Sequence, residues 1–176
     1  MKPEYIIRIV TKNDAAALLA FSKAVGSESH YLSFGKEGIP CTVEQEAVFI
    51  ESVQNNRLSC MWCVEYHNEI IALCSFDANN NKRMAHRAGI SLSVRKAYWK
   101  QGIATLMMNT MIAHAKKHPE ITMLTLEVLC DNKPAIHLYE KFSFTYCGCL
   151  HQFFLIEDTY YDAYMMECDL RKGAYI

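Results

Sequence analysis

Apolar positions along this chain recur with the period of a strand in some stretches and the period of a helix in others, and that switching predicts its elements. "YIIRIV" (5–10) is β-branched and reads as a strand. "TKNDAAALLAFSKAV" (11–25) reads as a helix with Thr11, Asn13 or Asp14 as its cap. "GSESHYLSFGKEGIP" (26–40) has no period and reads as a long loop. A second helix is expected over 42–55, where Thr42 and Gln45 have the spacing of a capping box. Two β-rich runs, 59–67 and 69–77, meet at His67-Asn68 as a hairpin, and 86–94 is a further strand. Helical spacing returns at Ile103, Leu106, Met107, Met111 and Ala115 within 100–118, and Lys116, Lys117, His118 and Pro119 end that segment. A strand over 121–129, a short helix over 132–142 and a long hairpin made of 144–156 and 159–170 complete the chain. The order β-α-α-β-β-β-α-β-α-β-β predicts an α/β class with a mixed sheet, and the strand-helix-strand unit at 86–129 predicts a central parallel pair.

Composition narrows the picture without deciding it. With 176 residues, half of them hydrophobic, the chain is expected to be a single domain over 1–176 with a real core. A net charge of -1 argues against a protein that coats nucleic acid. No run approaches the roughly 18 apolar residues of a membrane span, and the first residues lack the apolar core of a signal peptide. A cytoplasmic location is therefore expected, with the eight cysteines reduced. "CMWC" (60–63) and "CGC" (147–149) fall in strand-like stretches without a histidine pair at zinc spacing, so buried, inert thiols and no metal are expected.

One junction asks for more than packing. In "VRKAYWKQGIATLMM" (94–108) a strand hands over to a helix through Gly102 and Ala104, with Arg95, Lys96 and Lys100 nearby. A helix start presents unpaired N–H groups and the positive end of its dipole, and small residues let a phosphate reach them. Thr105 adds a hydroxyl. The stretch has neither a P-loop nor the full dinucleotide fingerprint, and on its own a plain strand-to-helix turn fits it as well as a phosphate seat.

A second segment tips that balance. Val94, Gly102 and Ala104 form "V-x-x-x-x-x-x-x-G-x-A", and Asn132, Ala135, Leu138, Tyr139 and Phe144 form "N-x-x-A-x-x-L-Y-x-x-x-x-F". Together, inside the matching order of elements, they resemble the GNAT superfamily of acetyl-CoA-dependent acyltransferases over nearly the whole chain. The resemblance implies a GNAT fold and transfer of an acetyl group from acetyl-CoA to a primary amine on a small molecule, an amino acid or a peptide N-terminus. It implies that Leu92, Ser93 and Val94 pair with the pantetheine arm. Lys100, Gln101, Gly102, Ile103, Ala104 and Thr105 match the pyrophosphate loop, Asn132 a residue contacting the cofactor, and Ala135 a position beside its arm. Tyr139 matches the tyrosine that protonates the leaving thiolate.

The general base is less well marked. Glu127 stands in "LEV", in the position of the glutamate paired with that tyrosine in relatives resembling ribosomal-protein alanine acetyltransferases, and a structural hydrogen bond would explain it as well. Glu28, His30 and His86 are fallback candidates. Tyr31, Phe34, Tyr160, Tyr161 and Tyr164 are expected to shape an acceptor pocket, and Asp162 in "YYDAYMM" to be structural. Many relatives form homodimers, which extends that expectation to this chain. A rival reading keeps the acyl-CoA seat as a non-catalytic sensor or scaffold. Two departures from the pattern are Trp99, three residues before Gly102, and Ser143 in place of a glycine; Ser143 should cost stability at a left-handed helix end.

Overall fold

In the computed structural model, which describes residues 5–172, the strands β1 (Ile6–Ile9), β2 (Cys60–Tyr66) and β3 (Glu69–Ala78) run antiparallel in sequence order. The β2–β3 turn places His67 at φ 50° and Asn68 at φ 64°, the left-handed pair that a two-residue hairpin needs to follow the twist of its strands. Two compact units emerge, one comprising residues 5–77 with 91–109 and the other residues 78–90 with 110–172.

The first unit buries Val10, Leu18, Phe21, Val25, Ile50, Val53, Met61, Cys63 and Ile70 between the β1–β3 strands and the helices α1 (Ala15–Glu28) and α2 (Val43–Asn55). Arg8 on β1 ties this frame together, reaching Asp14 at 2.8 Å and Glu65 at 2.9 Å. The guanidinium holds the Asp14 carboxyl below its usual range. That carboxylate also accepts the Thr11 N–H at 2.8 Å, closing a capped turn at Lys12–Asp14 before α1 begins. The expected box at Thr42 and Gln45 caps α2, with reciprocal bonds of 3.2 and 2.8 Å.

Helix α1 runs three residues past its expected end at Val25. Gly26, where the long loop was expected to begin, serves a close approach, since a Cβ on it would lie 1.9 Å from the Gly35 carbonyl oxygen. The loop folds back onto the helix through that gap, and glycine is the residue that leaves it open.

In the second unit, the N-terminal part of β4 (Arg87–Val94) pairs parallel with β5 (Met123–Leu129) through Arg87, Ala88 and Gly89. β5 then pairs antiparallel with β7 (Thr159–Asp169), and β7 with β6 (Thr145–Ile156). These are the mixed sheet and the parallel pair that the pattern predicts. The helices are α3 (Ile103–Lys117), whose last turns lie in this unit, and α4 (Lys133–Lys141). Helix α3 starts at Ile103 rather than at residue 100, because Lys100 and Gly102 take φ values of 60° and 84° that no right-handed helix contains. Its residues Ile103, Met107, Met111 and Ala115 are buried as expected, but Leu106 remains 38 % exposed.

The cysteines divide where one description was expected. Burial pushes the Cys63 thiol up to about 11 and Cys74 up to about 12, as inert core thiols require. Cys147 and Cys149, by contrast, are exposed. β6 stands last in the order β4-β5-β7-β6 and most of its residues face solvent, so a strand-like sequence did not imply burial there. Among the described residues no helix is long and apolar enough to cross a membrane.

Candidate functional site

In the first unit, the stretch from β4 to α3 is a braced turn that ends in an open helix start. The Arg95 N–H donates to the Ile71 carbonyl at 2.9 Å, fixing the end of β4 on β3. The Trp99 indole N–H donates to the Val94 carbonyl at 2.7 Å, so the residue that departs from the family pattern here ties the turn to its strand. Gln101 accepts from the Tyr5 hydroxyl and donates to the Ala97 carbonyl, the latter at 3.1 Å.

Glu28 belongs to this brace, although the sequence offered it as a base. Its carboxylate accepts Arg95 Nε at 2.9 Å and the Lys96 N–H at 2.7 Å, joining the end of α1 to the turn. A carboxylate held by two donors is a positioning group, and its placement removes it as a free base. The signal was present in the sequence only as a long-range charge pair with Arg95, which no local pattern can identify.

Gly102 sits at φ +84° with open space around its missing Cβ. Its carbonyl accepts the Leu106 N–H at 2.9 Å, which makes Gly102 the cap position of α3. The N–H groups of Ile103, Ala104 and Thr105 are therefore first-turn amides with no partner inside the helix. Ile103 is buried and anchors the turn, while Gly102 and Thr105 are exposed and Ala104 is half-buried. Lys100 and Lys96 are exposed beside it. The arrangement can receive an anion on backbone amides and a helix dipole, with cations close by. Leu92, Ser93 and Val94 lie on β4 beyond its parallel register with β5.

In the second unit, α4 carries the tyrosine. Asn132 caps it, its side chain accepting the Ala135 N–H at 3.3 Å, so the residue expected to touch a cofactor has a structural task as well. Tyr139 is only 8 % exposed, and burial pushes its phenol up to about 12. The helix ends in a Schellman motif, with the Phe144 N–H bonded to the Tyr139 carbonyl at 3.1 Å and the Ser143 N–H to that of Glu140 at 3.0 Å. Ser143 takes φ 63°, as its place in the pattern requires. The Phe144 ring completes the motif by packing 5.9 Å from the Tyr139 ring, centroid to centroid.

Glu127 is exposed while Leu126 and Val128 are buried, so alternation on β5 turns its carboxylate away from the core of that unit. His86 and His30 are exposed, and His30 stacks on Tyr31 at 4.3 Å. Among the acceptor-pocket tyrosines, Tyr164 packs edge-on against Tyr146 at 4.9 Å, whereas Tyr160 is 60 % exposed. Asp162 is structural, accepting the Gln152 N–H at 2.8 Å.

Comparison with known proteins places these features in context. The acetyltransferase (GNAT) family profile matches residues 28–144. The L-amino acid N-acetyltransferase AaaT of Escherichia coli (strain K12) is 27 % identical over 104 residues, which cover 59 % of this chain. That match spans 63 % of the relative's own length. The crystal structure of a GNAT-family acetyltransferase from Streptococcus pneumoniae superposes with a TM-score of 0.89 at 26 % identity, covering 95 % of this chain and 99 % of the other. The structure of yncA from Salmonella typhimurium, solved with its cofactor acetyl-CoA, has a TM-score of 0.81 at 16 % identity over 98 % of both chains, a likeness of fold.

Proposed function

Since the chain belongs to the acetyltransferase (GNAT) family, its profile matching residues 28–144, we propose that the protein transfers an acetyl group from acetyl-CoA to a primary amine of a small molecule, an amino acid or a peptide N-terminus. The observation that carries this reading is the start of α3. Gly102 at φ +84°, with nothing where a side chain would stand, leaves three first-turn amides open to the pyrophosphate. In this reading Lys100, Gln101, Gly102, Ile103, Ala104 and Thr105 cradle the phosphates, and the backbone of Leu92, Ser93 and Val94 pairs with the pantetheine arm. Asn132 and Ala135 contact the cofactor, Asn132 using the amide nitrogen that its capping bond leaves free.

The chemistry follows from the bonds exchanged. The amine nitrogen attacks the thioester carbonyl carbon, the C–S bond breaks, and the thiolate needs a proton. Tyr139 is the proposed donor. Its phenol, pushed up to about 12, keeps its proton throughout the neutral range. Burial destabilises a thiolate in the same way, so a sulfur departing into similar surroundings gains affinity for that proton. Glu127, exposed on β5, is the proposed base that takes a proton from the acceptor's ammonium, so that the neutral amine attacks. The relative named for L-amino acids makes free L-amino acids the first acceptors to try.

The test is calorimetric titration with acetyl-CoA followed by product detection by mass spectrometry over a panel of amines. Mass detection avoids thiol reagents, which would label the exposed Cys147 and Cys149. Tyr139→Phe should lower kcat by about 10²–10⁴-fold with acetyl-CoA affinity retained. Unchanged turnover in that variant would remove the acid role. Because the acid form persists below the raised pKa, loss of the Tyr139 proton should not depress the rate until the pH approaches 12. Binding without product on any amine would favour the sensor.

A further inference from the structure

At the solvent-facing end of the β5-β7-β6 strands, in the second unit, three side chains of the kinds that hold transition metals converge, with a further thiol nearby. Cys149, His151 and Asp162 bring one ligating atom each to within 4.8 Å of one another. His151 Nδ1 already stands 3.0 Å from Asp162 Oδ2. A second thiol joins them from the turn after β5, where the Cys130 N–H donates to the Asp162 carbonyl at 3.0 Å.

The strand register explains why residues so far apart in the chain meet. Cys149 stands opposite Tyr164, and the pairing then slips between Leu150 and Phe154. Carried on from Leu150 opposite Ala163, that register sets His151 across from Asp162 and on the face that carries Cys149, before the slip begins. The Gln152 N–H, at 2.8 Å from Asp162 Oδ1, fixes the carboxylate so that its other oxygen faces the imidazole. No local spacing betrays the group, because its members come from three separate elements.

We propose that Cys130, Cys149, His151 and Asp162 form a binding site for a soft divalent cation of the zinc class. Zinc takes thiolate, imidazole and carboxylate ligands at about 2.0–2.3 Å in a tetrahedron, whose edges then run roughly 3.3–3.8 Å. The His151–Asp162 pair is close to such an edge, and the 4.8 Å envelope of the three donors needs about an ångström of closure. Two thiols and an imidazole disfavour the hard cations, magnesium and calcium, which prefer all-oxygen shells. On binding, the thiols release their protons to water, and the two thiolates and the carboxylate outweigh the divalent cation by a single negative charge. With the His151 side chain 79 % exposed, the ion has an open path from solvent. Cys130 lies two residues before the Asn132 cap, so a bound ion would tie the entry of α4 to the β6–β7 hairpin. The site is independent of the acetyl-transfer reading.

The experiment is titration of the reduced, full-length protein with zinc in a non-chelating reductant, repeated with cobalt as a spectroscopic probe. One equivalent should bind, and cobalt should give a thiolate-to-metal charge-transfer band with tetrahedral d–d absorption. Cys149→Ser and His151→Ala should each weaken binding by more than about 100-fold, since losing even an outer-shell partner costs roughly 10–100-fold. Circular dichroism confirms that these exposed substitutions leave the fold intact. If a variant fails to fold, the cobalt spectrum of the unaltered protein still decides, because only thiolate ligation produces the charge-transfer band. No uptake, uptake without that band, or uptake unchanged in the double variant would overturn the proposal; the last would place the ion elsewhere, for instance at the pair formed by His114 on α3 and His118 just past its end.

Discussion

Helices α2 and α3 begin in opposite ways. The first turn of α2 is closed by its own sequence, Thr42 accepting the Gln45 N–H while the Gln45 side chain accepts the Thr42 N–H. The first turn of α3 has a glycine in the cap position, with no side chain to bond an amide and no atom in the space beyond. An ordinary helix satisfies its leading amides to gain stability. A helix that leaves them open behind a glycine cap forgoes only roughly a few tenths of a kcal/mol of capping and keeps a positive, directional surface instead. Helix α4 is closed by a side chain like α2, for the Asn132 carbonyl oxygen accepts the Ala135 N–H.

Substitutions at these starts test the contrast, and the largest effect belongs to α3. Gly102→Val should weaken acetyl-CoA binding by at least about 100-fold, or ~2.7 kcal/mol, because the new side chain fills the anion's space and φ +84° strains it. Calorimetry on the folded variant reads this, and undiminished affinity would mean that the open amides serve no phosphate. Asn132→Ala should cost about 1 kcal/mol of stability and also weaken acetyl-CoA binding several-fold. A loss of stability alone would confine Asn132 to capping. Thr42→Ala should likewise cost about 1 kcal/mol in a denaturant midpoint, with acetyl-CoA affinity unchanged. The smallest change is a gain: Ser143→Gly relieves a left-handed residue at φ 63° and should stabilise by about 1 kcal/mol or slightly less, raising Tm without altering affinity.

Much of this was legible in the chain because the physics behind it is local. The box at Thr42 depends on residues three apart, the hairpin at His67-Asn68 on two, and the Schellman end of α4 on the six residues from Tyr139 to Phe144. Periodicity located the elements, and the parallel β4–β5 pair followed from the strand-helix-strand order. Other features misled when read locally. Residues 26–28 read as the start of a loop, yet Gly26, lacking a Cβ, admits the Gly35 carbonyl while α1 continues to Glu28.

By itself, then, the sequence determined the order of elements, the mixed sheet, the caps and the two motifs that mark the family, since each arises from contacts between near neighbours. Tertiary structure alone decided that Glu28 braces Arg95 instead of acting as a free base, that Tyr139 is buried and keeps its proton, and that Cys149 is exposed beside His151 and Asp162. These outcomes depend on burial and on pairings between residues distant in sequence, such as Glu28 with Arg95 and His151 with Asp162. The chemistry of a carboxylate, a phenol or a thiol is set by what surrounds it, and only the folded chain supplies those surroundings.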